Sequence, residues 1–334
     1  MTVNIGIVGA GWAGQQHAKT LASLPDAAVV AAADPDASRA KDLADKYDAR
    51  VYSNVAEMLA AESDLHAVIV ATEATVRLEP IQAACDRKLA VFCEKPPALD
   101  LASALKVRDV IERAGILNAV GFQSRWSPSA HRMRELITGR RPLFAQITVA
   151  WPVFGWVKDG IAPQRLYTKS GCGGPMIEQG IHYQDVLRYI TSDEPVHVHA
   201  MAELGRTEPI DGRDCEDTTV VLARHESGMF STHVQNWSRP ETLHRIQVVG
   251  DAFDLTWPIS EGEKVVGRLD GQEVDERFEA DPYVEEIRGF IAAVAQNDQT
   301  IIRSTYADAC RTFAVCEAAT RAVRTGVPQN VERV

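Results

Sequence analysis

The sequence predicts an α/β protein with an N-terminal doubly wound parallel sheet and a C-terminal α+β domain that has a large, open, mainly antiparallel sheet. Short apolar segments alternate with helical patterns from residue 3 to about 122, as in repeated β-α units. Beyond that point, consecutive strand-like segments of alternating polarity dominate. The 334 residues suffice for two domains of ordinary size, which we place at 1–122 and 123–334.

The composition is that of a globular, acidic protein. Hydrophobic residues make up 46% and charged residues 24% of the chain, a balance unlike that of disordered or fibrous proteins. The net charge of −11 disfavours nucleic acids and anionic membranes as partners, because phosphate binding needs a concentrated positive surface. No apolar run is as long as a membrane span, and the N-terminus lacks the basic start of a secretion signal. We therefore expect a cytoplasmic location.

The six cysteines predict neither a metal centre nor a disulfide framework. They form no C-x-x-C pair and lie far apart, so we expect small buried apolar side chains. Cys172 stands in a glycine-rich segment, where contact with a substrate is the alternative to burial. His197 and His199 share one face of a predicted strand, but no cysteine or acid stands at metal-ligand spacing, so no metal is expected.

The segment V-N-I-G-I-V-G-A-G-W-A-G carries the strongest local signal. An apolar strand runs into G-x-G-x-x-G and then into a helical pattern, an order typical of a dinucleotide-binding Rossmann unit. Gly9 permits the tight turn, Gly11 lets the backbone approach a pyrophosphate, and Gly14 lets the helix pack on the strand. The N–H groups at the helix start, which includes Trp12 and Ala13, receive the anion.

Asp34, at the end of the second predicted strand, bears on the choice between NAD and NADP. It stands twenty residues beyond Gly14, which suits hydrogen bonds to the adenosine ribose hydroxyls. A carboxylate there repels the 2′-phosphate of NADP, so we predict NAD. Arg39 keeps NADP open as the less favoured alternative, because a guanidinium can lie over adenine or bind a 2′-phosphate.

Polar residues also follow the later strands of the predicted parallel sheet, at the edge where such folds bind ligands. A lysine at the end of a buried strand is placed to bind or protonate a reacting oxygen, and a solvated loop lysine is the alternative. His17, on the first helix, is interpreted as a packed or capping residue. The strand-end residues are Thr72, Glu94, Lys95, Gln123 and Arg125.

The second domain is predicted from a helical segment, 129–139, and the strand-like segments that follow it. Two further helical segments, 281–296 and 304–326, close the chain. In the last one, apolar residues recur at helical spacing, so we interpret it as a packed helix that returns to the first domain or to the base of the sheet. Those residues are Tyr306, Cys310, Phe313, Cys316 and Val323. The strand-like segments are 143–154, 196–204, 217–225, 228–237, 243–250 and 252–257.

The stretch G-C-G-G-P-M-I-E-Q-G-I-H-Y-Q-D, residues 171–185, suits a site better than a hydrophobic core. Helical spacing places Glu178 and His182 one turn apart, with Asp185 three residues further on. A carboxylate that holds an imidazole in one tautomer leaves its other nitrogen for a substrate hydroxyl, as proton transfer requires. Ion pairing on the helix surface is the alternative, and the residues alone leave the two open.

The order of these motifs resembles the Gfo/Idh/MocA family, which includes glucose-fructose oxidoreductase and inositol dehydrogenase. The resemblance rests on the glycine motif, the acid after the second strand, V-I-V-A-T, E-K-P at 94–96, the acid and histidine of 171–185, and D-P-Y at 281–283. It covers essentially the whole chain. After Thr72, Glu73 and Ala74 replace the usual Pro-Asn and Arg77 replaces the usual His, and Glu178 stands where Asp is usual.

The resemblance implies an NAD(P)-dependent enzyme that moves a hydride between the nicotinamide and a secondary alcohol or ketone of a sugar, sugar derivative or cyclitol. Lys95, His182 and Glu178 are the implied catalytic group, with Lys95 and His182 handling the proton. Redox-neutral glycoside cleavage, through transient oxidation and elimination, and a non-catalytic sensing role stay open. A homodimer or homotetramer through the outer face of the C-terminal sheet is also implied.

Two sets of contact residues complete these expectations. For Trp151 and Tyr167, packing in the hydrophobic core is the alternative to contact with a substrate. The candidate cofactor contacts are Gly9, Gly11, Trp12, Ala13, Gly14, Asp34, Arg39, Thr72, Glu94, Lys95 and Gln123. The candidate substrate contacts, which offer hydrogen-bonding and flat apolar groups to a ring, are Lys95, Arg125, Trp151, Tyr167, Gln179, His182 and Asp185.

Overall fold

The computed structural model describes residues 2–205 and 210–334. The chain divides into two compact units, Met1–Gln123 with Asp281–Cys310, and Ser124–Ala280 with Arg311–Val334. The first unit thus contains a segment from beyond the linear boundary at residues 122 and 123. Within the described ranges, no helix is both long and apolar enough to cross a bilayer. The expected return of the terminal helix to the first domain stays a prediction.

The N-terminal part of the first unit alternates strands and helices. Several of its helices begin at a side-chain cap; for example, Asp100 accepts a hydrogen bond from Ser103 N at 2.8 Å at the start of one helix, and Gly115 ends that helix with φ of +62°. The elements are β1 Val3–Val8, α1 Trp12–Ala22, β2 Ala27–Ala33, α2 Ala37–Tyr47, β3 Arg50–Tyr52, α3 Val55–Ala61, β4 Ala67–Val70, α4 Leu78–Asp86, β5 Ala90–Cys93, α5 Leu101–Ala114 and β6 Asn118–Val120.

These strands form one parallel sheet in the order β3-β2-β1-β4-β5-β6. The order reverses between β1 and β4, so the carboxyl ends of these strands flank a crevice of the kind in which doubly wound folds bind ligands. All residues of β4 and β5 are buried, as expected for strands covered on both faces. Phe92 of β5 meets Phe290 of the returning segment edge to face, with ring centroids 5.5 Å apart.

The rest of the chain forms the second sheet and the remaining helices. One of these helices, Pro282–Gln296, belongs to the first unit. A π-helical turn, Met176–Gly180, directly precedes α9. The elements are α6 Pro128–Ile137, β7 Pro142–Ala150, α7 Val153–Lys158, α8 Lys169–Cys172, α9 Ile181–Thr191, β8 Pro195–Glu203, β9 Thr218–His225, β10 Phe230–Asn236, β11 Leu243–Gly250, β12 Phe253–Trp257, β13 Lys264–Leu269, β14 Gln272–Arg277, α10 Pro282–Gln296, α11 Tyr306–Thr325 and β15 Gln329–Asn330.

The second sheet has the order β14-β13-β12-β11-β7-β10-β9-β8-β15 in the described residues. The pair β7 and β10 is parallel, and the other neighbours are antiparallel. Burial alternates along β9, because one face of the sheet packs against helices while the other is exposed. The predicted fold class, a doubly wound parallel sheet followed by a large, mainly antiparallel one, is confirmed.

Two local features differ from the predictions. The strand expected over 143–154 ends at Ala150, and Val153 begins helix α7, because Pro152 has no N–H for the ladder and suits a helix start. The hairpin of β13 and β14 was not predicted. Its turn is Asp270-Gly271, both with positive φ (51° and 79°), which is the geometry of a two-residue hairpin loop.

Candidate functional site

The glycine-rich turn between β1 and α1 is shaped by close backbone contacts at two of its three glycines. Gly9 has φ of +94°, and a Cβ on it would lie 2.8 Å from the carbonyl of Ala71. A Cβ on Gly14 would lie 2.0 Å from the carbonyl oxygen of Gly9, so helix and strand meet there without room for a side chain. A Cβ on Gly11 would meet no atom of the described residues within 4 Å. The chain itself therefore does not require glycine at position 11, and the space above it is open to a ligand.

Helix α1 presents its N-terminus at this turn. Its first turn contains no acidic residue, so its orphan N–H groups and positive dipole end attract an anion. Trp12 is 75% exposed at the helix start. The turn is tied to the next strand, because Ala10 N donates to Asp34 Oδ2 at 2.8 Å.

Asp34 is buried and rigidly held at the carboxyl end of β2. Its second oxygen accepts from Asp36 N at 2.9 Å, so two main-chain N–H groups fix the carboxylate. Arg39 instead extends into solvent and pairs with Asp36, with Nε and Oδ2 3.3 Å apart. The buried carboxylate of Asp34 thus places a fixed negative charge at this strand end. Arg39, the residue that would favour NADP, instead belongs to an exposed ion pair.

Thr72 and Gln123 lie at the ends of β4 and β6. Thr72 Oγ1 is buried and makes no hydrogen bond with any residue that the structure describes. Gln123 Nε2 donates to Tyr283 Oη at 3.1 Å. Among the described residues, the space over Gly11 is open and the buried hydroxyl of Thr72 has no partner. Together with the N–H groups at the start of α1 and the fixed carboxylate of Asp34, these features fit a dinucleotide.

Glu94 and His17 form a largely buried pair beside this crevice. Glu94 Oε1 lies 2.7 Å from His17 Nε2, and Glu94 Oε2 accepts from Lys95 N at 3.0 Å. Burial alone would raise the pKa of Glu94, but the hydrogen bond from His17 and the positive charges of His17, Lys95 and Arg77 lower it to about 2. Glu94 is therefore ionised, and groups of the first unit bind its carboxylate. Its contact with the cofactor stays a prediction. His17 packs edge to face on Phe92, as expected of a packed residue.

In the second unit, Glu178 lies in the π-helical turn before α9. Its carboxylate pairs with Arg165, at 3.0 Å from Nη1 and 3.3 Å from Nη2. π-Helical turns occur frequently at functional sites, and this one directly precedes the half-buried His182 on α9. Glu178 thus has a fixed orientation and a balanced charge.

Arg125 and Asp185, two predicted substrate contacts, are joined in a buried ion pair. Arg125 Nε and Nη2 donate to the two carboxylate oxygens of Asp185, each at 2.7 Å. Thr312 Oγ1 also donates to Asp185 Oδ1 at 2.9 Å. This bidentate arrangement supports a structural role for Asp185, and contact of either residue with a substrate stays a prediction.

Gln179 ends a chain of side-chain hydrogen bonds. The indole of Trp237, which can only donate, donates to Gln179 Oε1 at 2.8 Å, and Gln235 Nε2 donates to the same oxygen at 2.7 Å. Gln235 Oε1 must then accept from His233 Nε2, at 3.2 Å, which leaves His233 Nδ1 to accept from Gln184 Nε2 at 3.0 Å. The donor-only indole therefore fixes the direction of the chain and leaves the amide NH₂ of Gln179 as its outward group.

Trp151, Tyr167 and Cys172 pack with apolar neighbours. Trp151 is half-buried and lies edge to face on Trp156, with centroids 5.1 Å apart. Tyr167 Oη donates to the carbonyl of Phe154 at 3.4 Å. Cys172 is fully buried with its sulfur 3.6 Å from that of Cys215, and all six cysteines are buried, as expected.

Comparison with known proteins identifies the family. The model of the Gfo/Idh/MocA oxidoreductase family with an NAD-binding Rossmann fold matches residues 3–122, and the model of the Gfo/Idh/MocA C-terminal domain matches residues 141–255. Inositol 2-dehydrogenase of Acidothermus cellulolyticus is 30% identical over 279 residues, which cover 81% of this chain and 77% of that protein. The chain belongs to the Gfo/Idh/MocA family.

The likeness to Gfo/Idh/MocA proteins extends over nearly the whole length. Inositol 2-dehydrogenase of Rhizobium meliloti is 28% identical over 334 residues, covering 97% of both chains. The crystal structure of an oxidoreductase from Agrobacterium radiobacter, in complex with NAD⁺, L-tartaric acid and magnesium, is 18% identical, with a TM-score of 0.85 and 99% coverage of both chains, and shows the same fold. The predicted family is confirmed, and the first unit of this Gfo/Idh/MocA oxidoreductase contains an NAD(P)-binding Rossmann domain.

Three residues of this Gfo/Idh/MocA chain contact the candidate site residues without having been predicted to do so. His17 holds Glu94, Arg165 holds Glu178, and Arg77 binds the main chain around Lys95. Arg77 was noted as a departure from the family pattern, and that departure was its signal. Arg165 gave no signal, because nothing in its local sequence names a partner thirteen residues away.

Proposed function

We propose that the protein is an NAD-dependent dehydrogenase that interconverts a secondary alcohol and a ketone on a cyclitol or sugar ring. The observation that carries the proposal is the retention of Lys95 in E-K-P, directly after β5, together with His182 on α9, in a chain that belongs to this family. The names of the two relatives described above, inositol 2-dehydrogenases that are 28% and 30% identical, support the substrate class.

We assign cofactor binding to the first unit. The N–H groups at the start of α1 would hold the pyrophosphate, and Gly11 leaves room for it. The fixed carboxylate of Asp34 would accept hydrogen bonds from the adenosine ribose hydroxyls and repel a 2′-phosphate, which favours NAD over NADP. Thr72 offers a buried hydroxyl that lacks a partner among the described residues.

The proposed reaction separates a hydride from a proton. Oxidation of the alcohol removes hydride from the ring carbon, which NAD⁺ accepts when bound, and a proton from the hydroxyl, which leaves a ketone. Lys95 and His182 share that proton in the proposal, and they return it in the reverse direction. Glu178, held by Arg165, serves as a fixed acceptor for a substrate hydroxyl.

The test is formation of NADH by the purified protein with NAD and a panel of inositols, aldoses, sugar acids and amino sugars. Lys95→Ala and His182→Ala should each lower kcat by roughly 10²–10⁴-fold, the usual size of an acid–base contribution. The dissociation constant of NAD should change by less than about threefold, because the cradle around Gly11 is untouched. Activity that persists in both variants would remove their assigned roles.

The same assay separates the alternatives. If every compound is silent while NAD is found bound to the purified protein, redox-neutral glycoside cleavage becomes the reaction to assay, with release of the glycosidic group as the measurement. If glycosides are also inert and a sugar or cyclitol binds without turnover, the sensing role replaces the enzymatic one.

We also propose a homodimer or homotetramer through the exposed face of the second sheet. Met201 of β8 and Val220 of β9 are register partners, so they share a face, and they are 71% and 42% exposed. Leu222 and Phe230 lie on that same face by the register of β9 and β10, at 47% and 49% exposed. A contiguous exposed apolar patch is typical of an association surface.

The cytoplasmic location stays a prediction.

A further inference from the structure

Arg77 is a buried arginine at the junction of two strand ends of the first unit. It lies just before α4, and the residue is only 3% exposed. Arginine is rarely buried without a partner that satisfies its donors. The partners of Arg77 therefore show what the residue does.

The guanidinium of Arg77 binds four main-chain carbonyl oxygens. Its Nη2 donates to the carbonyls of Thr72 and Lys95, each at 3.1 Å. Its Nη1 donates to the carbonyls of Glu94 and Pro96. One side chain thus connects the segment that follows β4 to three consecutive carbonyls of the E-K-P turn that follows β5.

The number and geometry of these bonds explain why an arginine suits this position. A guanidinium is planar and carries five N–H donors in a fixed fork, so it reaches carbonyls on both sides of the turn at once. An ammonium places three donors at a single point, and an imidazole donates in at most two directions. The histidine that is usual at this position in the family therefore cannot make the same set of bonds.

Two neighbours hold the same turn without contacting the main-chain oxygen of Lys95. Tyr306 Oη donates to the carbonyl of Pro97 at 2.9 Å. The side chain of Glu94 is bound by His17. Of these three anchors, it is Arg77 that binds the carbonyl of Lys95 itself.

We propose that Arg77 is a positioning residue for Lys95. It fixes the main chain of 94–96 against the end of β4, so the lysine side chain starts from a defined point and direction. This inference rests on the proposed function, in which Lys95 carries the substrate proton. Displacement of a reacting group by about 1 Å is enough to cost roughly 10²-fold in rate, which is why one anchoring residue affects turnover.

The experiment compares Arg77→Lys with Arg77→His and with the matched control Arg87→Lys. Arg87 also donates to main-chain carbonyls of the first unit, those of Leu59 and Glu62, but away from the E-K-P turn. We expect Arg77→Lys and Arg77→His to lower kcat by roughly 30-fold or more, with KM and the dissociation constant of NAD within about threefold of wild type. Arg87→Lys should lower the Tm without lowering kcat.

A second readout does not depend on activity. Lysines are labelled by reductive methylation, and the NMR signal of Lys95 is assigned by its loss in Lys95→Arg. Loss of the anchor should shift or broaden this signal in Arg77→Lys and leave it unchanged in Arg87→Lys. An unchanged signal overturns the inference, whether or not the variant is less stable.

The outcomes distinguish this inference from the proposed function. A wild-type protein that is active while Arg77→Lys matches it in kcat overturns the positioning role and leaves the dehydrogenase intact. A wild-type protein that produces no NADH counts against the proposed function, and the Lys95 signal then decides the positioning role. A parallel loss of kcat and of NAD affinity in Arg77→Lys points to collapse of the cofactor site and also overturns it.

Discussion

At the scale of single residues, the hydrogen-bond chain from Gln184 to Trp237 predicts what Gln179 offers to a ligand. Trp237 and Gln235 both donate to Gln179 Oε1, so this oxygen is occupied and the NH₂ group faces outward as a donor. Burial lowers the pKa of His233, in the middle of the chain, to about 4, so the ring is neutral at physiological pH and keeps one donor and one acceptor nitrogen. Gln179 thus presents a donor with fixed polarity.

Gln179→Glu should separate the effect of the buried amide oxygen, which Trp237 and Gln235 bind, from the effect of the outward NH₂ group. One carboxylate oxygen still accepts from Trp237 and Gln235, so the Tm should stay within a few degrees of wild type. The outward donor becomes an acceptor, so KM for the substrate should rise by roughly tenfold or more, the usual cost of a mismatched hydrogen bond. Steady-state kinetics and thermal melting of the same preparation measure both.

Gln179→Met is the control for the inward half, because it loses the acceptor as well and should lower the Tm. If Gln179→Glu binds substrate as well as wild type does, Gln179 has no contact with the substrate oxygen. Its role is then confined to packing beside the π-helical turn.

Neighbours along the chain identify some residues of the candidate site but not the partners of its carboxylates. The types and positions of Lys95, His182 and Asp34 follow from motifs, because their neighbours along the chain create the signal. The partners of Glu94 and Glu178 do not, since His17 stands 77 residues from Glu94 and Arg165 stands on a separate turn. Only folding decides which donors reach a carboxylate, so these pairs became visible in the structure.

At the scale of elements, the strand–turn–helix at the N-terminus makes two glycines separable by experiment. Gly14→Ala places a methyl group where the carbonyl oxygen of Gly9 lies, 2.0 Å away, so α1 or β1 must move. We expect it to lower the Tm markedly and to weaken NAD binding as a consequence, since clashes of this kind typically cost about 1–3 kcal/mol or more.

Gly11→Ala is the matched substitution without an internal clash, because no atom in the described part of the chain lies within 4 Å of its added Cβ. It should keep the Tm of wild type and still weaken NAD, as a methyl group would occupy the space assigned to the pyrophosphate. Calorimetric titration with NAD and thermal melting test both variants. Equal NAD affinity in Gly11→Ala and wild type would place the dinucleotide elsewhere.

The elements that were predicted correctly are those whose local pattern agrees with their final environment. Strands β4 and β5 are continuous apolar runs because both their faces are buried. The hairpin of β13 and β14 was missed because β14 is polar and largely exposed, which hides the alternation of a half-buried strand. The π-helical turn before α9 has no periodicity of its own, so the sequence showed one continuous helix there.

At the scale of the whole molecule, the sequence predicts two sheets but not how the end of the chain is shared between the two units. Helix α10 joins the first unit, where Ile287, Phe290 and Ile291 enter the core around β1. The apolar stripe of α10 predicts a packed helix. Periodicity shows that one face of the helix is buried, but it does not show which element covers that face. The linear split at residues 122 and 123 contains no information about this return.

Two buried histidines of the second unit contribute to the pH dependence of stability. His233 and His244 are 1% and 5% exposed, and burial lowers the pKa of each to about 4. In the unfolded chain histidine titrates near pKa 6.5, so between about pH 6.5 and 4 the unfolded state binds more protons than the folded state. Their contribution to stability is therefore fully present above about pH 6.5 and is lost as the pH falls toward 4.

The loss at about pH 5 amounts to roughly 2 kcal/mol for each histidine, so the Tm should fall between pH 7 and pH 5. His244→Gln should make that fall smaller, because glutamine does not titrate. Glu94 acts in a separate window, since its pKa of about 2 makes its stabilisation fade only below about pH 4.5. Calorimetric scans at pH 7, 6 and 5 measure the Tm of wild type and variant. A His244→Gln profile parallel to that of wild type would exclude protonation of this histidine as a cause of acid unfolding.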